Sequence, residues 1–317
     1  IYFEIIMSNI LIIKHGSLGD LIQANGAIKD IKNYYYNRKV FLLTSQPYAI
    51  FMSECPYVDG VIIDKRLPRW NLFYLNNLKK NLLKYNFTKV YDLQNSSRTK
   101  FYQRFIINKN VEWSSSETAL EPGQKKKDFD KDPVLDRMQI QLKKSGLKAE
   151  FVKNIDLTWA KSDISRLTRQ YANNEYILIF PFCSKKLPQK KWPYFKELIS
   201  KLKQDYKNKF PILLAPGPDE IDEANQLNGK VVLDNNEPVN IKTLISLIFN
   251  AKFIVSNDTG PAHIASHLGS KGIVLFGSHT TAKKVSIENS NFKAISVKDL
   301  KQLSVDKVLN EIKSKLD

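Results

Sequence analysis

Cysteine is almost missing from this sequence: of 317 residues, only Cys55 and Cys183 carry a thiol. They lie far apart and in no C-x-x-C pair, which excludes a disulfide framework and a cysteine zinc site and suits a reducing cytoplasm. Glycine is sparse too, at 12 residues, and none of it forms G-x-G-x-x-G or G-x-x-x-x-G-K-[ST], so the dinucleotide fingerprint and the P-loop are both absent. No apolar run reaches the roughly 20 residues that a membrane-crossing helix needs. Residues 1–13 are apolar apart from interruptions such as Glu4, Ser8 and Asn9, but they lack the basic start and small-residue cleavage site of a signal peptide. Met7 reads as the natural start, with residues 1–6 as an upstream extension. Acidic residues are outnumbered, 32 against 49 basic ones, for a formal net charge of +17. Such a surface favours nucleic acid, anionic membrane or phosphorylated substrates, and charge alone does not choose among them. A coding bias toward Lys and Asn is a competing source of the excess.

What remains is the composition of a folded protein, 43% hydrophobic and 26% charged. The length suits two domains of roughly 150 residues, each burying its own core. Short β-rich apolar runs at residues 10–13, 40–44, 61–63 and 90–93 alternate with amphipathic stretches at 21–32 and 72–84. This is the pattern of βαβ units on a parallel sheet. Residues 108–133 are polar and aperiodic and read as a long surface loop. A second alternation begins at Tyr176, with strands at 176–180, 212–215, 231–233, 253–256 and 273–276 and helices at 194–204, 219–226, 241–249 and 261–268. The expected fold is α/β, two doubly wound domains spanning residues 1–160 and 161–317, with a linker near 158–174.

Ligands of open parallel sheets sit beyond the carboxyl ends of the strands, so the loops after strands are where chemistry is sought. The first runs Lys14-His15-Gly16-Ser17-Leu18-Gly19-Asp20 into a helix. Its two glycines permit a tight turn. Asp20 has two competing readings, a helix cap that balances the dipole or a general base. The second runs from Pro181 through Ser184, Lys185, Lys186, Lys190, Lys191 and Trp192 to Pro193. Four lysines in seven positions place cations where a ligand phosphate can lie, against the bland alternative of solvated charge. The third, Ser256-Asn257-Asp258-Thr259-Gly260-Pro261-Ala262-His263, is the sharpest signal. Pro261 suits the first turn of a helix, whose open amides form an anion site with the Thr259 hydroxyl and the Gly260 backbone. His263 reads as a histidine that orients Asp258. The fourth places Asp219 and Glu220 after a strand, where a carboxylate either accepts from a ribose diol or caps a helix.

Together these stretches resemble the ADP-heptose:lipopolysaccharide heptosyltransferases of glycosyltransferase family 9. The likeness is carried by the opening strand with its G-D at Gly19 and Asp20, Tyr91-Asp92-Leu93-Gln94 before Arg98, K-x-W-P from Lys190 to Pro193, and D-T-G-x-x-H from Asp258 to His263. His15-Gly16 depart from the small hydroxylated residues usual before G-D, and Lys185-Lys186 from the threonines or small residues of several relatives. The resemblance implies the GT-B architecture, two Rossmann-like domains facing a central cleft, with the last helix packing back on the amino-terminal domain. It implies an inverting, metal-independent transfer from an ADP-sugar co-substrate to a lipopolysaccharide core acceptor, with no further cofactor. Asp20 is then the catalytic base. Ser184, Lys185, Lys190, Glu220, Asp258, Thr259, Gly260 and His263 are expected at the donor, and Gly19, Arg98 and Arg137 at the acceptor. The basic loop at residues 124–127 fits an anionic, lipid-linked acceptor met at the cytoplasmic face of the inner membrane, with salt-sensitive peripheral attachment.

Four other classes stay open at this level, one of them a catalytically retired family member serving as a scaffold, against which the retained Asp20, Lys190 and Asp258 argue. A relative using another nucleotide sugar or acceptor would carry the same motifs. A non-catalytic, basic nucleic-acid-binding protein would share the charge, although no helix-turn-helix, zinc-finger or RNP pattern is present. A Rossmann oxidoreductase would need the missing glycine fingerprint.

Overall fold

The computed structural model describes residues 8–172, 175–207 and 209–316. Met7 and the extension before it, and Asn173 and Asn174 of the expected linker, lie outside the described residues. The chain divides into two compact units, Ile1–Trp159 and Ala160–Asp317.

In the first unit the apolar runs become β1 (Asn9–Ile13), β2 (Val40–Thr44), β3 (Gly60–Ile63), β4 (Phe87–Asp92) and β5 (Glu112–Ser114). They form one parallel sheet in the order β3-β2-β1-β4-β5. The helices are α1 (Leu18–Tyr34), α2 (Gln46–Ser53), α3 (Leu72–Leu83), α4 (Ser97–Phe105), α5 (Lys126–Phe129) and α6 (Val134–Lys144). β1 and most of β4 are buried, as expected of central parallel strands covered on both faces. α3 starts where the Asn71 side chain accepts from the Tyr74 amide, and it buries Tyr74, Leu75, Leu78 and Leu82. Residues 108–133 are not one loop. β5 pairs with β4 at the sheet edge, and α5 forms around the buried Phe129. Three paired residues on an edge and one helical turn are too short to leave a periodic signal.

The second unit opens with α7 (Ser165–Tyr171), inside the expected linker, and continues with β6 (Ile177–Phe180), α8 (Phe195–Asp205), β7 (Ile212–Leu214), α9 (Ile221–Asn225) and β8 (Lys230–Val231). A small antiparallel ribbon follows, β9 (Leu233–Asp234) and β10 (Glu237–Pro238). Then come α10 (Ile241–Asn250), β11 (Phe253–Asn257), α11 (Gly260–His267), β12 (Gly272–Phe276), β13 (Phe292–Ser296) and α12 (Val305–Leu316). The main sheet is parallel in the order β13-β12-β11-β6-β7-β8. β13 escapes the sequence reading because, as an edge strand, it is half exposed and carries Lys293. The last helix, which the resemblance sends back to the amino-terminal domain, directs its apolar face inward within its own unit. Val305, Val308, Leu309 and Ile312 join the core formed with α8 and β12.

Candidate functional site

Each sheet has one point where the chain reverses its direction of travel, between β1 and β4 in the first unit and between β6 and β11 in the second. Loops leaving adjacent strands there diverge and leave a crevice. In the first unit Ile13 is in register with Asp92, so the loops after β1 and β4 emerge side by side. Gly16 turns the first loop at φ +99°, and a Cβ there would lie 2.3 Å from the Tyr48 ring, so only glycine fits. Ser17 then caps α1, its amide and hydroxyl donating to Asp20 Oδ2 at 3.0 and 2.9 Å. The capping reading of Asp20 therefore holds. Its other oxygen faces Lys14 Nζ at 3.6 Å, and the carboxylate is 44% exposed while the lysine is 5% exposed. Lys14 also donates to the Leu93 carbonyl at 3.1 Å. Burial lowers the Lys14 pKa, partly offset by Asp20 and Asp92.

Lys14 and Asp20 line a cavity of about 130 Å³ with Gln94, Asn95, Arg137 and Gln141. Two expected residues thus meet in one pocket, Asp20 and Arg137. Arg137 is held by the Asp132 carbonyl at 3.1 Å and faces Asp130 at 3.4 Å. Gly19 is buried in the first turn of α1. Arg98 lies outside the lining of this cavity. It donates to the Tyr102 hydroxyl at 3.0 Å and to the carbonyls of Arg66 and Leu67 at 3.2 and 3.0 Å, bracing the loop after β3.

Behind the β1 loop lies a polar cluster that the sequence reading missed. His15 Nε2 is 2.8 Å from Asp64 Oδ2, and both side chains are buried. Tyr102 donates to the same carboxylate at 2.7 Å, and the Tyr74 hydroxyl bonds its other oxygen. Burial alone would raise the Asp64 pKa, but His15, Tyr74 and Tyr102 outweigh it and hold it at about 2. Asp64 is the first residue after β3, so the rule of searching loops after strands would have found it.

In the second unit, Ser256 of β11 is in register with Phe180 of β6, and the loops that follow are tied together. Asn257 Nδ2 donates to the Pro181 carbonyl at 2.7 Å, and Asn257 Oδ1 accepts from the Trp192 amide at 3.1 Å. Trp192 is fully buried, with its indole N–H on the Leu303 carbonyl at 2.9 Å. This anchor places Lys190, two residues before it, 2.6 Å from Asp258 Oδ2. The lysine is 20% exposed and the carboxylate 2%. His263 Nε2 lies 3.7 Å from the other Asp258 oxygen, near enough for a charge interaction and too far for a hydrogen bond. His279, which sequence reasoning overlooked although it too follows a strand, stands 2.9 Å from Oδ2 and stacks on Phe276. Burial works against the Asp258 charge, yet Lys190 and the two histidines together lower its pKa.

Thr259 is the N-cap of α11 and Gly260 its first residue, so the open amides of a helix start lie next to Asp258. The other expected donor residues line a separate cavity of about 520 Å³, where Ser184, Lys185, Lys186 and Lys191 face Asp219, Glu220 and Glu223. Glu220 sits at the start of α9 without capping it. Its carboxylate turns back to accept from the Gly217 amide at 2.8 Å, and burial raises its pKa. The four lysines therefore divide: Lys190 pairs with Asp258, Lys191 with Glu223, and Lys185 and Lys186 face the cavity. Among the described residues, no group of three His, Cys, Asp or Glu side chains could hold a metal ion, and no helix is long and apolar enough to cross a membrane.

Two parallel-sheet units, each with polar groups gathered at its reversal point, define an α/β protein of the GT-B kind, and known structures agree. E. coli heptosyltransferase WaaC with ADP-2-deoxy-2-fluoro heptose matches with a TM-score of 0.71 at 20% identity, over 96% of this chain and 99% of that one. E. coli ADP-heptose lps heptosyltransferase II matches at 0.73 and 16% identity, over 97% and 98%. A putative UDP-N-acetylglucosamine 2-epimerase from Listeria monocytogenes matches at 0.60 and 12% identity, over 98% and 88%. At such identities the likeness establishes the fold, which transferases and an epimerase share. The sequence profile of glycosyltransferase family 9 (heptosyltransferase) matches residues 75–311. The chain belongs to this family and is a glycosyltransferase. A search of curated proteins finds no match.

Proposed function

We propose that this protein is an inverting, metal-independent transferase that moves a heptose or related sugar from an ADP-sugar to a lipopolysaccharide core acceptor at the cytoplasmic face of the inner membrane. The observation that carries this reading is the opposite exposure of the two lysine–aspartate pairs. In the first unit the carboxylate is the exposed member; in the second it is the lysine. An exposed carboxylate beside an arginine-lined cavity suits proton removal from an acceptor hydroxyl. An exposed ammonium near a helix start suits a diphosphate, because it meets the charge that develops on the leaving group. Lys190 has three N–H donors, of which Asp258 takes one. In the step proposed, the acceptor oxygen forms a bond to C1 of the sugar, the bond from C1 to the phosphate oxygen breaks, and the nucleoside diphosphate leaves. The acceptor proton passes to Asp20. Asp258, Thr259, Gly260 and His263 hold the sugar and phosphates, while Ser184, Lys185 and Glu220 receive the nucleotide side. Gly19 and Arg137 shape the acceptor pocket. Arg98 acts at one remove, by bracing the loop at residues 66–67.

Family membership leaves the donor to be chosen, and the relative bound to an ADP-heptose analogue supports ADP. A thermal-shift screen of ADP-, UDP-, GDP- and CMP-sugars tests the choice, because a ligand at 100 times its Kd adds about 2.7 kcal/mol to stability. ADP-heptose is expected to raise Tm by several degrees and the other nucleotides to do little. A response to UDP- or GDP-sugars alone would replace the donor assignment.

A further inference from the structure

From Lys65 to Lys84 the chain carries six basic residues and no acidic one. The same stretch holds much of the large apolar surface that the protein leaves in water. Trp70 is 80% exposed, Leu72 75% and Phe73 78%, at the start of α3, and Leu67 and Leu83 are also exposed. Single exposed apolar side chains are ordinary; three large ones within four residues, ringed by cations, call for a partner. The segment is held in place rather than loose. Arg98 grips the carbonyls of Arg66 and Leu67, Asp64 accepts from the Arg66 amide at 2.8 Å, and Asn71 caps α3. The inward face of α3 is already used by Tyr74, Leu75, Leu78 and Leu82. The outward face bears Leu72, Phe73, Lys79, Lys80 and Leu83.

We propose that residues 65–73 and the outward face of α3 dock on an anionic phospholipid bilayer. Trp70, Leu72 and Phe73 enter the interfacial layer, while Lys65, Arg66, Lys79 and Lys80 meet lipid phosphates. Tryptophan belongs at that layer because its ring is apolar at one end and polar at the other. Basic residues supply the long-range attraction, which salt weakens, and the apolar side chains add burial at the interface. The charge complementarity singles out a membrane over a second copy of this chain, whose matching patch would carry the same cations. This inference rests on the lipid-linked acceptor proposed above and names the element that brings the enzyme to it.

The test is sedimentation of the full chain with vesicles of phosphatidylcholine containing phosphatidylglycerol, beside vesicles of phosphatidylcholine alone. The wild type is expected to bind the anionic vesicles with a blue shift in tryptophan emission that Trp70→Phe abolishes, since Trp192 is buried and Trp113 and Trp159 are partly so. Trp70→Ser with Phe73→Ser should weaken binding about tenfold and leave Tm unchanged. Full binding by that double variant, with loss instead on replacing Lys125, Lys126 and Lys127 by serine, overturns this docking surface and leaves the lipid-linked acceptor standing. No binding by the wild type overturns the membrane reading itself. A wild-type dimer in light scattering that the double variant dissolves assigns the patch to a second copy and overturns the proposal.

Discussion

The two units solve one structural problem in opposite ways. Each brings a lysine and an aspartate together at its sheet's reversal point, yet the first buries the lysine and exposes the acid, and the second does the reverse. A buried ion is expensive unless paired, so in each case the exposed member supplies the buried one with its counter-charge. The exposed member is the one that can meet a ligand. Fold and residue type are shared, so in the function proposed above it is burial that separates the proton acceptor from the anion holder. The difference begins in the sequence. Lys14 directly follows a central strand and reaches back under the loop after β4, whereas Lys190 stands two residues before the buried Trp192 on a surface turn.

The largest expected effect tests the first half of this contrast. Asp20→Asn keeps an oxygen to accept from Ser17 and removes the base. We expect kcat to fall about 10²–10⁴-fold, with a stability change of no more than about 1 kcal/mol, the usual worth of a cap. Steady-state turnover with ADP-heptose, together with a melting curve, measures both. Undiminished turnover would reduce Asp20 to a helix cap. A smaller effect is expected in the second unit. Lys190→Ala leaves the Asp258 carboxylate buried with only its two histidines, which should cost roughly 1–3 kcal/mol and weaken donor binding. Adding Asp258→Asn to Lys190→Met should return stability without returning donor affinity. Recovery of both would make Lys190 a counter-ion and nothing more.

How much of this could be read without coordinates varies with the kind of interaction. The two alternations of strand and helix were legible because central parallel strands are nearly continuous apolar runs, as in residues 9–13 and 253–257. Asp258 and Thr259 were legible as candidates because they follow a strand and open a helix, Asp20 because it lies in a helix's first turn, and Lys190 through the lysine-rich loop and its K-x-W-P match. What stayed hidden depends on distance along the chain. The Asp64 cluster joins residues from four separate stretches, and His279 reaches Asp258 across 21 positions. Arg98 was placed with Arg137 by resemblance, but its guanidinium turns to the carbonyls of residues 66 and 67. Side-chain direction of that kind leaves no periodic trace.

The units also differ in how the loop behind each pair is anchored, and acid should separate them. The first uses an ion, Asp64 with His15; the second uses an amide, Asn257 with the Pro181 carbonyl and the Trp192 amide. The folded Asp64 pKa of about 2 lies below its ordinary 3.8. A depressed carboxylate pKa contributes stability that is fully present above the unfolded value and is lost as pH falls through the folded one. The contribution is therefore complete above about pH 4 and disappears toward pH 2, with a size of roughly 2 kcal/mol. Chemical unfolding of Asp64→Asn and wild type from pH 7 to pH 2 should show a gap of that order that closes across this window. The gap between Asn257→Ala and wild type should stay level over the same range, since an amide does not titrate. If the Asp64→Asn gap were equally level, the anchor of the first loop would be a matter of shape and hydrogen bonding, and the ionic contrast between the two anchors would be lost.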